Sequence, residues 1–188
     1  MKEISVTKLD AAKTQLETAI KLFFEYGDPV SIHTLTEAAH EILRVISKKN
    51  RLFYVIRNLD IIRKDKRREY LNMLNKAKNF FKHADRDHVG VLQFNPDTTL
   101  YIIVDACRMF MKLVGYQTPL QQLFIFWYSQ KHPDLFITAI EQANLSSATK
   151  ETVKNVYTHL FNPDDRASFL EILPSIKTGK IPGYTPPL

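Results

Sequence analysis

Apolar residues recur along this chain three and four positions apart and almost never at every second position, and only five of its 188 residues are glycine. A half-buried strand needs a period of two, whereas a helix needs one of 3.6. The chain therefore buries its apolar side chains as helices, and the expected fold is all-α. Local signals place the elements. Thr7 and Asp10 stand at capping-box spacing before a helix over residues 9–26 that Gly27 stops. Asp28 and Pro29 open a second helix that reaches about Ser47. Residues 50–62 carry a weaker helical pattern, and residues 64–84 a strong one. Gly90 and Pro96 mark residues 85–97 as a loop, with a short extended piece at 91–94. A helix over 97–113 ends at Gly115. Thr118-Pro119 opens the next, which runs to Gln130 and carries Phe124, Phe126, Trp127 and Tyr128 until His132-Pro133 breaks it. Short helices are expected at 134–143, 147–161 and 164–173. Residues 1–173 read as a single helical domain. Residues 174–188, with four prolines and two glycines, read as an extended tail.

Bulk properties narrow the function classes. No apolar run approaches the roughly 20 residues of a membrane-spanning helix, and nothing near Met1 resembles the core of a signal peptide, so no membrane partner and a cytoplasmic location are expected. Cys107 is the sole cysteine, which excludes an intramolecular disulfide and a thiolate metal cluster. No phosphate-binding glycine loop, nucleophile elbow or zincin motif is present, and no cofactor is expected. The net charge of +6 is uneven. Residues 44–86 hold 14 Lys and Arg against 4 Asp and Glu, and the remainder 12 against 16. Arg63, Lys64, Lys66, Arg67 and Arg68 form the densest part. A basic segment in an acidic body points to a polyanion, most often nucleic acid.

Two polar stripes stand out on helical projection. On the second helix Leu35, Ala38, Ala39, Ile42 and Ile46 make an apolar face, and His33, Glu37, His40 and Arg44 a narrow stripe opposite, expected to face away from the core. On the 64–84 helix Tyr70, Leu74, Ala77 and Phe81 face inward, while Arg68, Asn72, Asn75, Asn79 and His83 line the other side. Asn is a poor helix former, and a solvated face is built more readily from Glu, Lys and Gln. Asn beside His, Arg and Lys82 supplies neutral donors and acceptors next to cations, which suits phosphate, sugar and base edges. The same stripes also suit a polar seam between helices or between subunits. The two stripes are expected to converge on one groove. Glu37-x-x-His40 also has the spacing of carboxylate-bridged metal sites in bundles. A metal reading would join His33, Glu37, His40 and His88, although no metal is expected.

The residues Lys78-Asn79-x-x-x-His83, the paired N-terminal helices around Gly27-Asp28-Pro29, and Ala38-Ala39 with Glu41-Ile42-Leu43 together resemble the HEPN superfamily over residues 8–115. The block from Phe80 to Asp87 also resembles one in uncharacterised bacterial proteins. HEPN proteins are small helical bundles, typically dimeric, common in toxin–antitoxin and phage-defence systems, and many are metal-independent endoribonucleases. Their signature is Arg, a polar residue that is often Asn, three to five further residues, then His. The resemblance implies a HEPN-like bundle with additional C-terminal helices, RNA as partner, a homodimer, and a cognate protein partner. It implies His83 as general base on the ribose hydroxyl, with Asn79 positioning the phosphate. Lys78 stands where the family has Arg. It supplies charge without a bidentate fork, so Lys78 or Arg86 would stabilise the phosphate. Asp85 and Asp87 would orient His83. The alternative is an interaction protein that uses the same stripes without catalysis.

Overall fold

The computed structural model describes residues 3–52, 63–85, 87–134, 146–147, 151 and 162–178, and every regular element among them is helical. The chain divides into two compact units. One comprises Met1–Phe23 with Gly27–Gln117, the other Phe24–Tyr26 with Thr118–Leu188. The helices expected at 50–62, 134–143 and 147–161 fall wholly or largely outside the described residues.

The first unit begins with α1 (Lys8–Phe24). The backbone N–H of Asp10 donates to Thr7 Oγ1 at 3.1 Å and that of Thr7 to Asp10 Oδ2 at 3.2 Å, so each residue caps the other's orphan donor. Ala12, Leu16, Ala19, Ile20 and Phe23 recur at helical spacing and are all buried. The helix stops before Gly27, with Tyr26 in the left-handed region at φ 54° and the Gly27 N–H closing back on the Leu22 carbonyl at 2.8 Å. Glycine is needed next door for space, because a Cβ on Gly27 would lie 3.1 Å from the Leu22 side chain and carbonyl.

The second helix, α2 (Pro29–Lys49), starts at Asp28, whose carboxylate accepts from Ser31 N–H at 2.7 Å. A single 3-10 turn, Lys64–Lys66, leads into α3 (Arg67–Phe80). Residues 87–96 form a loop that contains no helix or paired strand before residue 97. The fourth helix, α4 (Asp97–Val114), ends at Gly115 with φ 88°, the left-handed region that glycine enters without penalty. Together α2 and α4 form the main helix pair of this unit. His33 meets Thr99 and His40 meets Asp105, so contacts ascend along both helices and the two run in the same direction. Lys78 meets Glu37 and Glu41 while Phe81 meets His33, so α3 runs opposite to α2.

The second unit contains α5 (Pro119–Lys131), a 3-10 segment over Ala167–Ile172 and the short α6 (Leu173–Lys177). Thr118 and Gln121 cap α5 reciprocally, as their spacing implies. The Phe24 ring meets Phe124 and Trp127 edge-on at 6.3 and 6.4 Å and stacks on Phe169 at 6.2 Å. Trp127 Nε1 donates to the Pro163 carbonyl at 2.9 Å. One expectation is corrected here. The tail does not start at Pro174, which occupies the first turn of α6, the place where its missing N–H costs nothing. No residue of α5 from Pro119 to Gln130 is exposed.

Candidate nucleic-acid interface

The two polar stripes have opposite fates. On α2 the stripe expected to face away from the core is inside it. His33, Glu37 and His40 are 2%, 1% and 0% exposed, and Thr36 and Ser47 are buried beside them. Leu35, Ala38, Ile42 and Ile46, the supposed core face, are only partly buried, although Ala39 and Leu43 are fully buried. Burial is tolerated because α4 and α3 bring polar partners. The His33 ring nitrogen Nδ1 lies 2.9 Å from Thr99 Oγ1, and His40 Nε2 lies 3.0 Å from Asp105 Oδ2. Hydrogen-bonded partners of this kind remove most of the cost of taking polar groups from water. The two stripes do come close, but among the described residues the α2 side is closed, so His33, Glu37 and His40 line no open groove.

The C-terminal end of α3 is pinned to this core by aromatic rings. His33, Phe81 and Phe94 meet edge-on in a triangle, with centroid distances of 5.7 Å (His33–Phe81), 5.1 Å (His33–Phe94) and 5.2 Å (Phe81–Phe94). Phe80 meets Phe81 edge-on at 6.1 Å. One turn earlier, the Lys78 ammonium lies 3.7 Å from Glu37 and 3.6 Å from Glu41, and Arg44 holds Glu41 with two nitrogens. Lys78 is thus drawn inward to carboxylates, with its side chain 19% exposed. The sequence signal for this pairing is Glu37 and Glu41 at one-turn spacing, and a solvated reading of the stripe conceals it.

The outward face of α3 agrees with the sequence reading in part. Arg68, Asn72 and Asn79 are exposed, as is Lys76, which that reading did not include, and Tyr70, Leu74, Ala77 and Phe81 are the inward, partly buried positions. Asn75 is partly buried, so it borders the face without belonging to it. His83 follows the helix. Its side chain is 41% exposed, with Nδ1 3.8 Å from Asp85 Oδ1, within ion-pair range when the ring is protonated. Asp87 and His88 are exposed, and Arg86 lies outside the described residues. At the start of α3, Arg63 pairs with Asp65 and Lys66 with Glu69, and Arg67 is partly buried. Lys64, Arg68, Lys76 and Lys82 are exposed and make no ion pair among the described residues.

Other candidate chemistry is weaker. Among the described residues no three His, Cys, Asp or Glu side chains gather closely enough to hold a metal ion. This overturns the grouping of His33, Glu37, His40 and His88: the first three are committed to the core and His88 is exposed on a loop. Cys107 is fully buried, and desolvation pushes its thiol far above the ordinary range, so it is no nucleophile. Among the aromatics that could stack a base, Trp127 is buried, and Tyr26 is engaged by Arg166, whose guanidinium lies 4.3 Å over its ring. Tyr101 is exposed on α4, and Tyr54 lies outside the described residues. Sequence reasoning misses the exposed Phe80, because the Phe-Phe pair reads as core and only the geometry separates its two members. Among the described residues no helix is long and apolar enough to cross a membrane. No family model, no curated protein and no solved structure matches this chain.

Proposed function

We propose that this protein binds RNA through the outward face of α3 and the turn that follows it. The observation that carries the reading is a set of exposed cations, Lys64, Arg68, Lys76 and Lys82, that make no ion pair among the described residues and are interleaved with the exposed amides of Asn72 and Asn79. Cations already held by carboxylates have little left for phosphate, whereas these four are available to displace its counterions. The test is fluorescence anisotropy with a pool of short RNAs in the presence of a chelator. Binding is expected at low salt, and log K should fall linearly with log salt. Replacing Arg68, Lys76 and Lys82 together by Ala should flatten that slope by about 0.7–0.9 for each phosphate that is no longer neutralised. An unchanged slope would remove this face as the binding site.

A second reading is metal-independent cleavage, and its support is His83 beside Asp85, one turn beyond Asn79. Cleavage should then persist with chelator, vanish in His83→Ala with the helical content intact, and survive in Lys78→Arg. The inward pairing of Lys78 favours binding without cleavage. The resemblance to HEPN proteins supports a homodimer in a bacterial defence or toxin–antitoxin setting. Light scattering would then report twice the 21.9 kDa chain mass.

A further inference from the structure

Phosphate binding alone does not account for the whole outward face of α3. Met73 and Phe80 are 62% and 37% exposed, on a helix whose other outward residues are charged or amide. At about 100° per residue, Arg68, Asn79, Asn72 and Lys76 occupy one arc, and Phe80 and Met73 the arc beside it. The pattern is repetitive. Asn72-Met73 and Asn79-Phe80 are the same pair, an amide followed by a large apolar side chain. They are separated by two helical turns, about 10.5 Å, with Lys76 between them. The Phe80 ring also lies edge-on at 6.1 Å to Phe81, which is itself wedged against His33 and Phe94.

We propose that the nucleic acid taken by this face is single-stranded RNA, with a base stacked on Phe80, a second lying over Met73, and the amides of Asn72 and Asn79 bonded to base edges. The proposal rests on the RNA-binding reading above and specifies its ligand. In a duplex the base faces are already stacked on one another, so an exposed ring gains nothing from them, whereas unstacked bases of a single strand find a π surface. A Phe ring has two side-chain torsions to fix on binding, fewer than a Lys or Arg side chain, so stacking on Phe80 costs little conformational freedom. Arg68, Lys76 and Lys82 follow the backbone beside the two amide–apolar pairs.

The probes are an unstructured RNA and a hairpin duplex of equal charge, both 2′-O-methylated so that the 2′-hydroxyl cannot take part in cleavage. Affinities are read by anisotropy at one salt concentration. The single strand should bind at least about tenfold more tightly than the duplex. Phe80→Leu keeps an apolar side chain against Phe81 but removes the π face. It should weaken single-strand binding by about tenfold, in the range expected for one stacked base, and leave duplex binding unchanged. Phe80→Tyr should restore the single-strand affinity. A merely structural role for the ring would instead move both probes together. Arg68→Ala should weaken both ligands alike. Equal affinity for strand and duplex, or an indifferent Phe80→Leu in a protein that still binds RNA, overturns the single-strand proposal and leaves RNA binding standing. Failure of the wild-type protein to bind either probe at low salt overturns both.

Discussion

Two side chains on the buried face of α2 show how partner geometry decides whether a polar residue stabilises or destabilises. His40 is sealed from water and bonded through Nε2 to Asp105, although its Nδ1 has no hydrogen-bond partner among the described residues. Thr36 is equally sealed, yet its hydroxyl has no hydrogen-bond partner among the described residues. The two should respond in opposite directions to loss of the polar atom. His40→Ala removes a buried ring and strips Asp105 of a donor, and should cost on the order of 2–4 kcal/mol in urea unfolding. Thr36→Val keeps the volume and deletes the unsatisfied hydroxyl, and should stabilise by about 1 kcal/mol. A destabilised Thr36→Val would mean that the hydroxyl does have a partner in solution. The same contrast separates Lys78 from Lys76 on α3. Two residues apart, one points to Glu37 and Glu41 and the other to solvent, so only the second is available to a ligand.

At the scale of elements, helix ends govern where these residues sit. Asp28 starts α2 and so sets the register of His33, Glu37 and His40. Hydrogen bonds from Ser31, side chain first and then backbone, hold its carboxyl below the ordinary value of 3.8. A lowered folded pKa contributes stability above the unfolded value, and that contribution is lost as pH falls through the folded one. Asp28→Ala should therefore melt at a lower temperature than wild type at pH 7, and the gap should close below about pH 3.8. A gap that persists in strong acid would show that the carboxylate charge is not the source. The other end is tested at α4. Gly115 sits at φ 88°, and a Cβ added there would meet nothing within 4 Å. Gly115→Ala should therefore cost only the left-handed backbone penalty, about 1–2 kcal/mol, with Gly115→Asn costing less.

For the whole molecule, charge and binding are linked through stability. A net charge of +6, concentrated around α3, repels itself in the folded state and is relieved by a polyanion. RNA that binds the folded chain alone should raise its melting temperature. At a free concentration about 100 times Kd the gain is about 2.7 kcal/mol. Calorimetry at rising salt should show that shift shrinking as affinity falls. A shift insensitive to salt would point to contacts other than those with Lys64, Arg68, Lys76 and Lys82. The sole tryptophan, Trp127, packs with Phe24 and Phe124 in the second unit. Its emission therefore reports on that unit, while the α3 face belongs to the first.

The sequence by itself determined what is local. Helical period, the Thr7–Asp10 cap, Asp28-Pro29, Thr118-Pro119 and Gly115 set the elements because each signal acts within a turn of its own residue. It also determined the outward face of α3, since Arg68, Asn72 and Asn79 had no need of burial and received none. Tertiary structure decided the rest. Whether His33, Glu37 and His40 face water or core depends on Thr99, Asp105 and Lys78, which arrive from other helices and leave no trace in the α2 periodicity. Whether Phe80 or Phe81 is core depends on Phe94 and His33 closing over only one of them. His33, Glu37 and His40 are buried where partners from other helices reach them, Thr36 is buried without one among the described residues, and Phe80 stays exposed where no neighbour covers it. These outcomes are set by packing between elements, which the pattern of any single helix does not encode.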